Sequence, residues 1–172
     1  HFSDAEEALD QAVIQAVSIS TTAGFATTDF ANWPSFLPIL LIFSSFIGGC
    51  AGSTGGGLKV IRVYLLFLQG KREIDRLIHP KAVYSVKLGE RAMPDRVVEA
   101  VWGFFSAYAI VFVVIMIGLI ATGLDNITAF TATAATLNNL GPGLGSVAGT
   151  FADVSDGGKW LLVTAMLFGR LE

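Results

Sequence analysis

The sequence predicts an all-α membrane protein built from repeated helical units, and three observations support this. Apolar residues make up 53% of the chain and charged residues only 15%, whereas a soluble domain has about 25% charged residues. Glycine is abundant, with 19 residues, which in an apolar chain indicates close helix contacts or irregular backbone inside a membrane. One order of segments, a short helix followed by an oxygen-rich stretch and a long apolar stretch, occurs twice.

The first unit begins with a short helix. Apolar residues recur at helical spacing over 4–20, with Ser3 as the predicted N-cap and acidic residues in the first turn. A helix this short and acidic does not span about 30 Å of hydrocarbon, so we expect it to enter the membrane from one side and stop partway. The next residues, 20–28, offer threonine hydroxyls and backbone carbonyls, which suit a hard, weakly bound cation.

The apolar stretch 36–68 is too long for one membrane crossing and is interrupted in the middle. Residues 48–57 contain six glycines, each about 1 kcal/mol less favourable than alanine in a helix. We therefore predict two helices, 35–47 and 58–69, joined by an irregular loop that lines a cavity or is buried in protein. A phosphate-binding loop is excluded, because Leu58 precedes Lys59 and Val60 follows it where that motif requires Ser or Thr.

Residues 70–96 form the polar part of the chain. They hold seven of the eleven basic residues, so the positive-inside rule places them on the cytoplasmic side. We predict one or two short surface helices here, interrupted at Pro80 and Pro94.

The second unit repeats the order of the first. We predict a membrane-spanning helix over 97–122, a short helix over 126–137, an oxygen-rich stretch over 138–145 and a further apolar helix from Trp160. Placing Gly24 on Gly141, 117 positions further along, pairs residues 22–25 with 139–142. The predicted organisation is therefore a first unit over 1–69, a cytoplasmic connection over 70–96 and a second unit over 97–172. Since the first unit lacks a leading helix and the chain starts at His1, we expect it to be part of a longer protein.

Composition disfavours several other functions. A single Cys50 excludes an intrachain disulfide, two histidines make a histidine metal site improbable, and a net charge of −3 gives no basis for nucleic-acid binding. No Ser/His/Asp or paired-carboxylate arrangement is visible, so we predict no enzymatic activity and no cofactor. The segments assigned to the outside carry eight acidic residues and one base, Lys159, which would concentrate cations. An alternative is that acidic residues merely avoid the cytoplasmic side.

The two short helices predict how a cation would be held. Each would end with its carbonyls and the negative end of its dipole pointing toward one place near the membrane centre. The extended pieces beyond them would supply carbonyls that replace water around the ion. We expect Gly24 and Gly141 to be required where the backbone adopts a positive φ. Residues 20–25 could instead be an ordinary polar loop.

These strings resemble a known family. The run Thr-Thr-Ala-Gly-Phe at 21–25, together with the glycine run and Lys59, is similar to the potassium transporter subunits of the TrkH/TrkG/KtrB superfamily, and closest to its TrkH branch. Members have four helix–pore-helix–helix repeats of K⁺-channel type around one pore. Residues 1–69 resemble the end of the third repeat and 97–172 most of the fourth. The family's Thr-x-Gly filter motif is present at 22–24, whereas the fourth repeat departs from it at 139–142.

The resemblance implies roles for particular residues, with K⁺ held at Thr22, Ala23, Asn139 and Leu140. The implied selectivity filter comprises Thr21, Thr22, Ala23, Gly24, Phe25, Asn138, Asn139, Leu140, Gly141 and Pro142. The implied gate below it comprises Gly48, Gly49, Gly52, Ser53, Thr54, Gly55, Gly56, Gly57, Lys59 and Arg170. Two alternatives stay open: Arg170 could extend to the membrane interface, and Lys59 and Arg62 could be interfacial anchors.

The resemblance further implies potassium uptake through a channel-like pore in the bacterial inner (cytoplasmic) membrane, with K⁺ as the transported ion and no cofactor. It implies a homodimer embedded in lipid, and a TrkA-type cytosolic nucleotide-binding regulatory subunit as partner. A secondary transporter that couples Na⁺ or H⁺ to solute movement through broken helices is the main alternative. A purely structural membrane protein is a third possibility, which would show no conductance.

Overall fold

The computed structural model describes residues 5–34, 36–50, 52–53, 55–80, 82 and 84–170, and nearly all its regular structure is helical. The helices are α1 Ala5–Ser20, α2 Leu37–Phe46, α3 Val60–Ile78, α4 Asp95–Ala121, α5 Asn126–Leu137 and α6 Asp156–Arg170. Single 3-10 turns occur at Phe30–Asn32 and Gly145–Val147. A small antiparallel hairpin pairs β1 Lys87–Leu88 with β2 Arg91–Ala92, with Lys87 opposite Ala92.

The membrane-spanning helix of the second unit lies where the sequence predicts it. Helix α4 has 27 residues, about 40 Å at the helical rise, and its mean hydropathy reaches 2.6 over an 18-residue window. It begins directly after Pro94, whose fixed φ suits a helix start. Within the described residues it is the one helix long and apolar enough to cross a bilayer.

The two predicted half-length helices are also present. Helix α5 has the predicted bounds, and the Asp125 side chain caps it by accepting a hydrogen bond from the Thr128 N–H at 3.1 Å. Helix α1 ends at Ser20 as predicted and carries Glu6 and Glu7 in its first turn. The predicted cap Ser3 lies outside the described residues. With 12 and 16 residues, both helices are too short to span the membrane.

The connecting segment differs from its prediction. Helix α3 does not end at 69 but continues to Ile78, and the hairpin, rather than a second surface helix, leads into α4. The extension is held by Arg72, whose guanidinium bonds the carboxylate of Asp95 at 2.7 Å and is 9% exposed. This contact joins the polar half of α3 to the start of α4, so the helix persists beyond its apolar part.

Helix α5 forms the centre of the fold, with nine of its twelve residues buried. On one side it packs against α4 and α6 through a cluster that includes Leu119 and Leu162. On the other side it packs with Ile42 of α2 and Leu140. Its buried residues are mostly alanine and threonine, and small side chains let neighbouring helices approach closely. The end of α5 is therefore held rigidly, and the candidate site begins there.

Candidate functional site

The two predicted filter segments have the same backbone conformation. Thr22 and Gly24 have φ angles of 56° and 78°, and Asn139 and Gly141, 117 positions later, have φ angles of 52° and 105°. The predicted positive φ at both glycines is thus observed. The left-handed conformation of Thr22 and Asn139 was not predicted. For residues other than glycine this conformation costs about 1–3 kcal/mol, and such strained residues cluster at functional sites.

The hydrogen bonds that end the two half-helices repeat as well. The N–H of Thr22 bonds the Ile19 carbonyl at 3.1 Å, and the N–H of Ala23 bonds the Ser18 carbonyl at 2.8 Å. Together they form a Schellman turn with Thr22 in the left-handed position. In the second unit the corresponding bonds, again 3.1 and 2.8 Å, run from Asn139 to Thr136 and from Leu140 to Ala135. The departure from Thr-x-Gly in the second unit therefore leaves the backbone turn unchanged.

The structure brings the two segments together. A Cβ atom added at Gly24 would lie 2.2 Å from the carbonyl oxygen of Leu140 and 3.7 Å from Cδ of Pro142. The segments also border one cavity of about 720 Å³, lined by Gly24, Pro142 and, from α6, Val163 and Met166. Two stretches far apart in sequence thus place their backbones at one locus beside an accessible space.

Side chains of the half-helices hold the chain beyond the turns. In the first unit, the Ser18 hydroxyl donates to the carbonyl of Phe25 at 2.6 Å, while the Phe25 ring is 77% exposed. In the second unit, the Thr131 hydroxyl accepts from the Leu144 N–H at 3.0 Å. These contacts were not predicted from the sequence. The signal that could have indicated them is the presence of polar residues such as Ser18 and Thr131 on helices that otherwise carry small side chains.

The predicted gate segment forms a closed loop between α2 and α3. Its ends are joined by hydrogen bonds from the Leu58 N–H to the Phe46 carbonyl at 2.8 Å and from the Val60 N–H to the Gly49 carbonyl at 3.2 Å. One predicted gate residue, Thr54, lies outside the described residues.

The loop contacts both turns at their base. The N–H of Gly56 donates to the Thr22 hydroxyl at 3.0 Å, and a Cβ at Gly56 would lie 1.8 Å from the carbonyl oxygen of Asn138. A Cβ at Gly48 would lie 2.6 Å from the carbonyl oxygen of Ser20. Close backbone approach therefore requires glycine at these loop positions.

Lys59 turns back into this loop. Its ammonium donates to the carbonyls of Ser53 at 2.7 Å and Gly55 at 2.6 Å, and the side chain is 9% exposed. These bonds hold the ammonium inside the loop, which favours the gate interpretation over the interfacial anchor for this residue. Arg62 instead stacks on the ring of Phe104, 4.3 Å from its centroid.

Arg170 lies in the last turn of α6 and is exposed. Its neighbour Gly169 packs on the end of α5, where an added Cβ would lie 1.9 Å from the carbonyl oxygen of Leu137. Arg170 is therefore close along the chain to the base of the second turn; its orientation toward the pore stays a prediction.

The two turns offer backbone carbonyls and hydroxyls as oxygen ligands. Among the described residues no group of three His, Cys, Asp or Glu side chains could hold a metal ion. Backbone carbonyls and hydroxyls are ligands of the kind that suit a monovalent cation that sheds its water.

Two half-length helices that end in matching turns at one locus, flanked by a membrane-length helix, define a repeat-built all-α membrane transport protein. The chain belongs to the TrkH family of cation transport proteins, because the model of that family matches residues 2–172. This confirms the predicted fold class and family.

Individual relatives agree with this assignment. The chain is 71% identical to the Trk system potassium uptake protein TrkH of Vibrio parahaemolyticus over 96% of its length, and 63% identical to TrkH of Escherichia coli K12 over 99%. The crystal structure of the potassium transporter TrkH from Vibrio parahaemolyticus superimposes with a TM-score of 0.90 at 69% identity, covering 98% of this chain and 36% of that one. The chain spans 34% and 35% of the two named relatives.

Proposed function

We propose that this chain supplies two quarters of a potassium pore, and that the protein containing it takes up K⁺ across the bacterial cytoplasmic membrane. The main observation behind this proposal is the matching pair of left-handed turns at 22–24 and 139–141, which meet beside one cavity. The relatives that match the chain are named potassium uptake proteins, which supports K⁺ as the ion.

The filter comprises residues 21–25 and 138–142, with K⁺ held by carbonyls of Thr22, Ala23, Asn139 and Leu140. The C-terminal ends of α1 and α5 add partial negative charge at the base of these carbonyls, about half an elementary charge each. Both effects stabilise a dehydrated cation and disfavour anions.

The loop 48–57 is the gate in this proposal. The loop packs directly against Thr22 and Asn138, and Lys59 holds it closed through hydrogen bonds. Both contacts support a role in blocking the path below the filter. Arg170 adds a positive charge near the same level. Deletion within 48–57 should raise K⁺ flux; an unchanged or lower flux would count against the gate.

The assembly follows from the resemblance and the charge pattern. The protein is a homodimer in the inner membrane, and the basic segment 70–96 faces the cytoplasm, where a TrkA-type regulatory subunit binds. Pull-down of that subunit by the full-length protein, and its loss when basic residues in 70–96 are neutralised, tests this contact.

The filter is tested by K⁺ and Rb⁺ flux through the full-length protein in liposomes. Gly24→Ser introduces a Cβ 2.2 Å from the Leu140 oxygen at a φ of 78°, whereas Gly141→Ser meets no atom within 4 Å and adds strain alone. We expect Gly24→Ser to abolish flux or K⁺/Na⁺ preference and Gly141→Ser to weaken them less. Gly103→Ser in α4, with open space and no positive φ, is the control.

Unchanged flux and preference in Gly24→Ser would refute the filter assignment. Saturation with obligatory exchange at modest gradients would identify a secondary transporter instead. Absence of any K⁺ flux through the unmodified protein would leave only a structural role.

A further inference from the structure

A buried network of hydrogen-bonded polar side chains supports the base of the second filter turn from the side. The Asn138 side chain is 0% exposed, accepts a hydrogen bond from the Tyr108 hydroxyl at 2.5 Å and donates one to the Ser45 hydroxyl at 2.9 Å. The Ser45 hydroxyl in turn donates to the carbonyl of Ile42 at 2.6 Å. The network joins α4, the end of α5 and α2.

We propose that Tyr108, Asn138 and Ser45 are positioning residues that hold the second filter turn in register and thereby set the preference for K⁺ over Na⁺. This inference rests on the proposed function. It assigns the amide of Asn138 to support of the turn, whereas the departure from the Thr-x-Gly pattern begins at the next residue, Asn139.

Among the described residues, the corresponding residue of the first unit bonds within its own helix. The repeat offset pairs Asn138 with Thr21, whose hydroxyl donates at 2.6 Å to Val17 of its own helix. The backbone N–H groups of the two residues make equivalent helix-ending bonds of 3.0 Å. The two turns therefore end their helices with the same backbone hydrogen bonds.

The support acts on the peptide where filter and gate meet. The carbonyl of Asn138 lies against Gly56 of the loop, and the next residue, Asn139, adopts the left-handed φ of 52°. Tyr108 is at the midpoint of α4 and is itself held between the rings of Phe46 and Phe104, with centroids 6.4 and 6.3 Å away. A hydrogen bond in this low-dielectric interior restrains its partners more firmly than one in water.

The test uses Tyr108→Phe and Ser45→Ala, singly and together, in the full-length transporter reconstituted in liposomes. Each removes one bond to the Asn138 amide with little change in shape. We expect each to lower the K⁺/Na⁺ permeability ratio by about five- to tenfold, the factor that loss of one buried hydrogen bond corresponds to. In the double variant the permeability ratio should fall by less than the product of the two single factors, because both changes release the same amide.

One matched control lies on α2, beside Ser45, and a second lies on α3. Ser44→Ala removes the same type of bond to a carbonyl one turn back, to Leu41 at 2.6 Å, without touching Asn138. Tyr64→Phe removes a hydroxyl from a half-exposed tyrosine of α3. Both should keep the wild-type permeability ratio, and thermal unfolding of all variants separates selectivity from loss of folded protein.

Wild-type ratios in Tyr108→Phe and Ser45→Ala, with flux following only the amount of folded protein, would overturn the inference and leave the proposed function intact. An unmodified protein without K⁺ selectivity would overturn both. If Ser45→Ala does not fold, Tyr108→Phe alone decides, since it keeps the ring packing and removes only the hydroxyl.

Discussion

Replacing Lys59 by methionine should release the gate loop. Methionine keeps a long, unbranched side chain but removes the ammonium, which donates to the carbonyls of Ser53 at 2.7 Å and Gly55 at 2.6 Å. Both carbonyls belong to the segment that contacts the filter turns. The substitution therefore loosens the loop while every residue of the two turns keeps its identity.

The size of the effect follows from the two bonds. A hydrogen bond to a charged group contributes about 1.5–3 kcal/mol, so the pair contributes about 3 kcal/mol at the lower limit. Since about 1.4 kcal/mol corresponds to tenfold, the equilibrium between open and closed loop shifts by about 100-fold. Relief of the buried charge reduces this figure, because an ammonium that is 9% exposed has lost most of its hydration.

The assay is Rb⁺ flux through the full-length transporter in liposomes without any cytosolic subunit, where a closed loop should limit the rate. We expect Lys59→Met to raise basal flux by at least about tenfold. Lys59→Gln has the same charge as the methionine variant and can still donate a hydrogen bond, so its flux should be intermediate. Lys71→Met, on the exposed side of α3, controls for the change in net charge.

Unchanged or reduced flux in correctly folded Lys59→Met would refute the role of this contact in closing the loop. Equal fluxes in the methionine and glutamine variants would show that the charge, through repulsion of K⁺, matters and the hydrogen bonds do not.

Two further predictions concern the loop seat and the α5 cap. Gly56→Ala places a Cβ 1.8 Å from the Asn138 carbonyl oxygen and should raise Rb⁺ flux by displacing the loop. In Gly52→Ala the added Cβ meets no atom within 4 Å, so the flux should change less. Equal fluxes in the two variants would contradict the packing of Gly56 against Asn138. Hydrogen bonds from Thr128 lower the pKa of Asp125 below its ordinary value of 3.8, so its stabilising contribution is complete above pH 3.8 and is lost as pH falls through the lowered folded-state pKa. Asp125→Asn keeps a capping acceptor that does not titrate. The wild type should therefore melt at a higher temperature than this variant near neutral pH, and the difference should disappear in acid. A difference that does not depend on pH would contradict the assignment of the Asp125 carboxylate as the cap of α5.

Much of the fold was predictable because the signals that define it are local. The cap at Asp125 and the apolar run that follows fix the bounds of α5, and the two glycines 117 positions apart reveal the repeat. Positive φ at Gly24 and Gly141 followed from residue type, because glycine adopts it at no steric cost. Thr22 and Asn139 share that conformation through their place in the Schellman turn, which their residue types alone do not indicate.

The predictions failed where the stabilising partner is distant in sequence. Helix α3 was predicted to end as its composition turned polar, yet Arg72 meets Asp95 across the hairpin. Asn138 was predicted as a filter residue, and the bonds of its side-chain amide were missed because the partners lie 30 and 93 positions away in sequence. A single sequence does not show which distant helices become neighbours.

The glycine run shows why composition alone was insufficient even where the predicted loop is correct. A Cβ would lie within 3 Å of another atom at Gly48, Gly49, Gly56 and Gly57, and in three of these four the nearest atom is a backbone carbonyl oxygen. Glycine at these positions is thus required by close packing against helix ends and filter turns. Since the Gly56 N–H bonds the Thr22 hydroxyl, the loop cannot leave its seat without changing the base of the filter. Gate and filter therefore form one packing unit, and loop substitutions should alter selectivity together with flux.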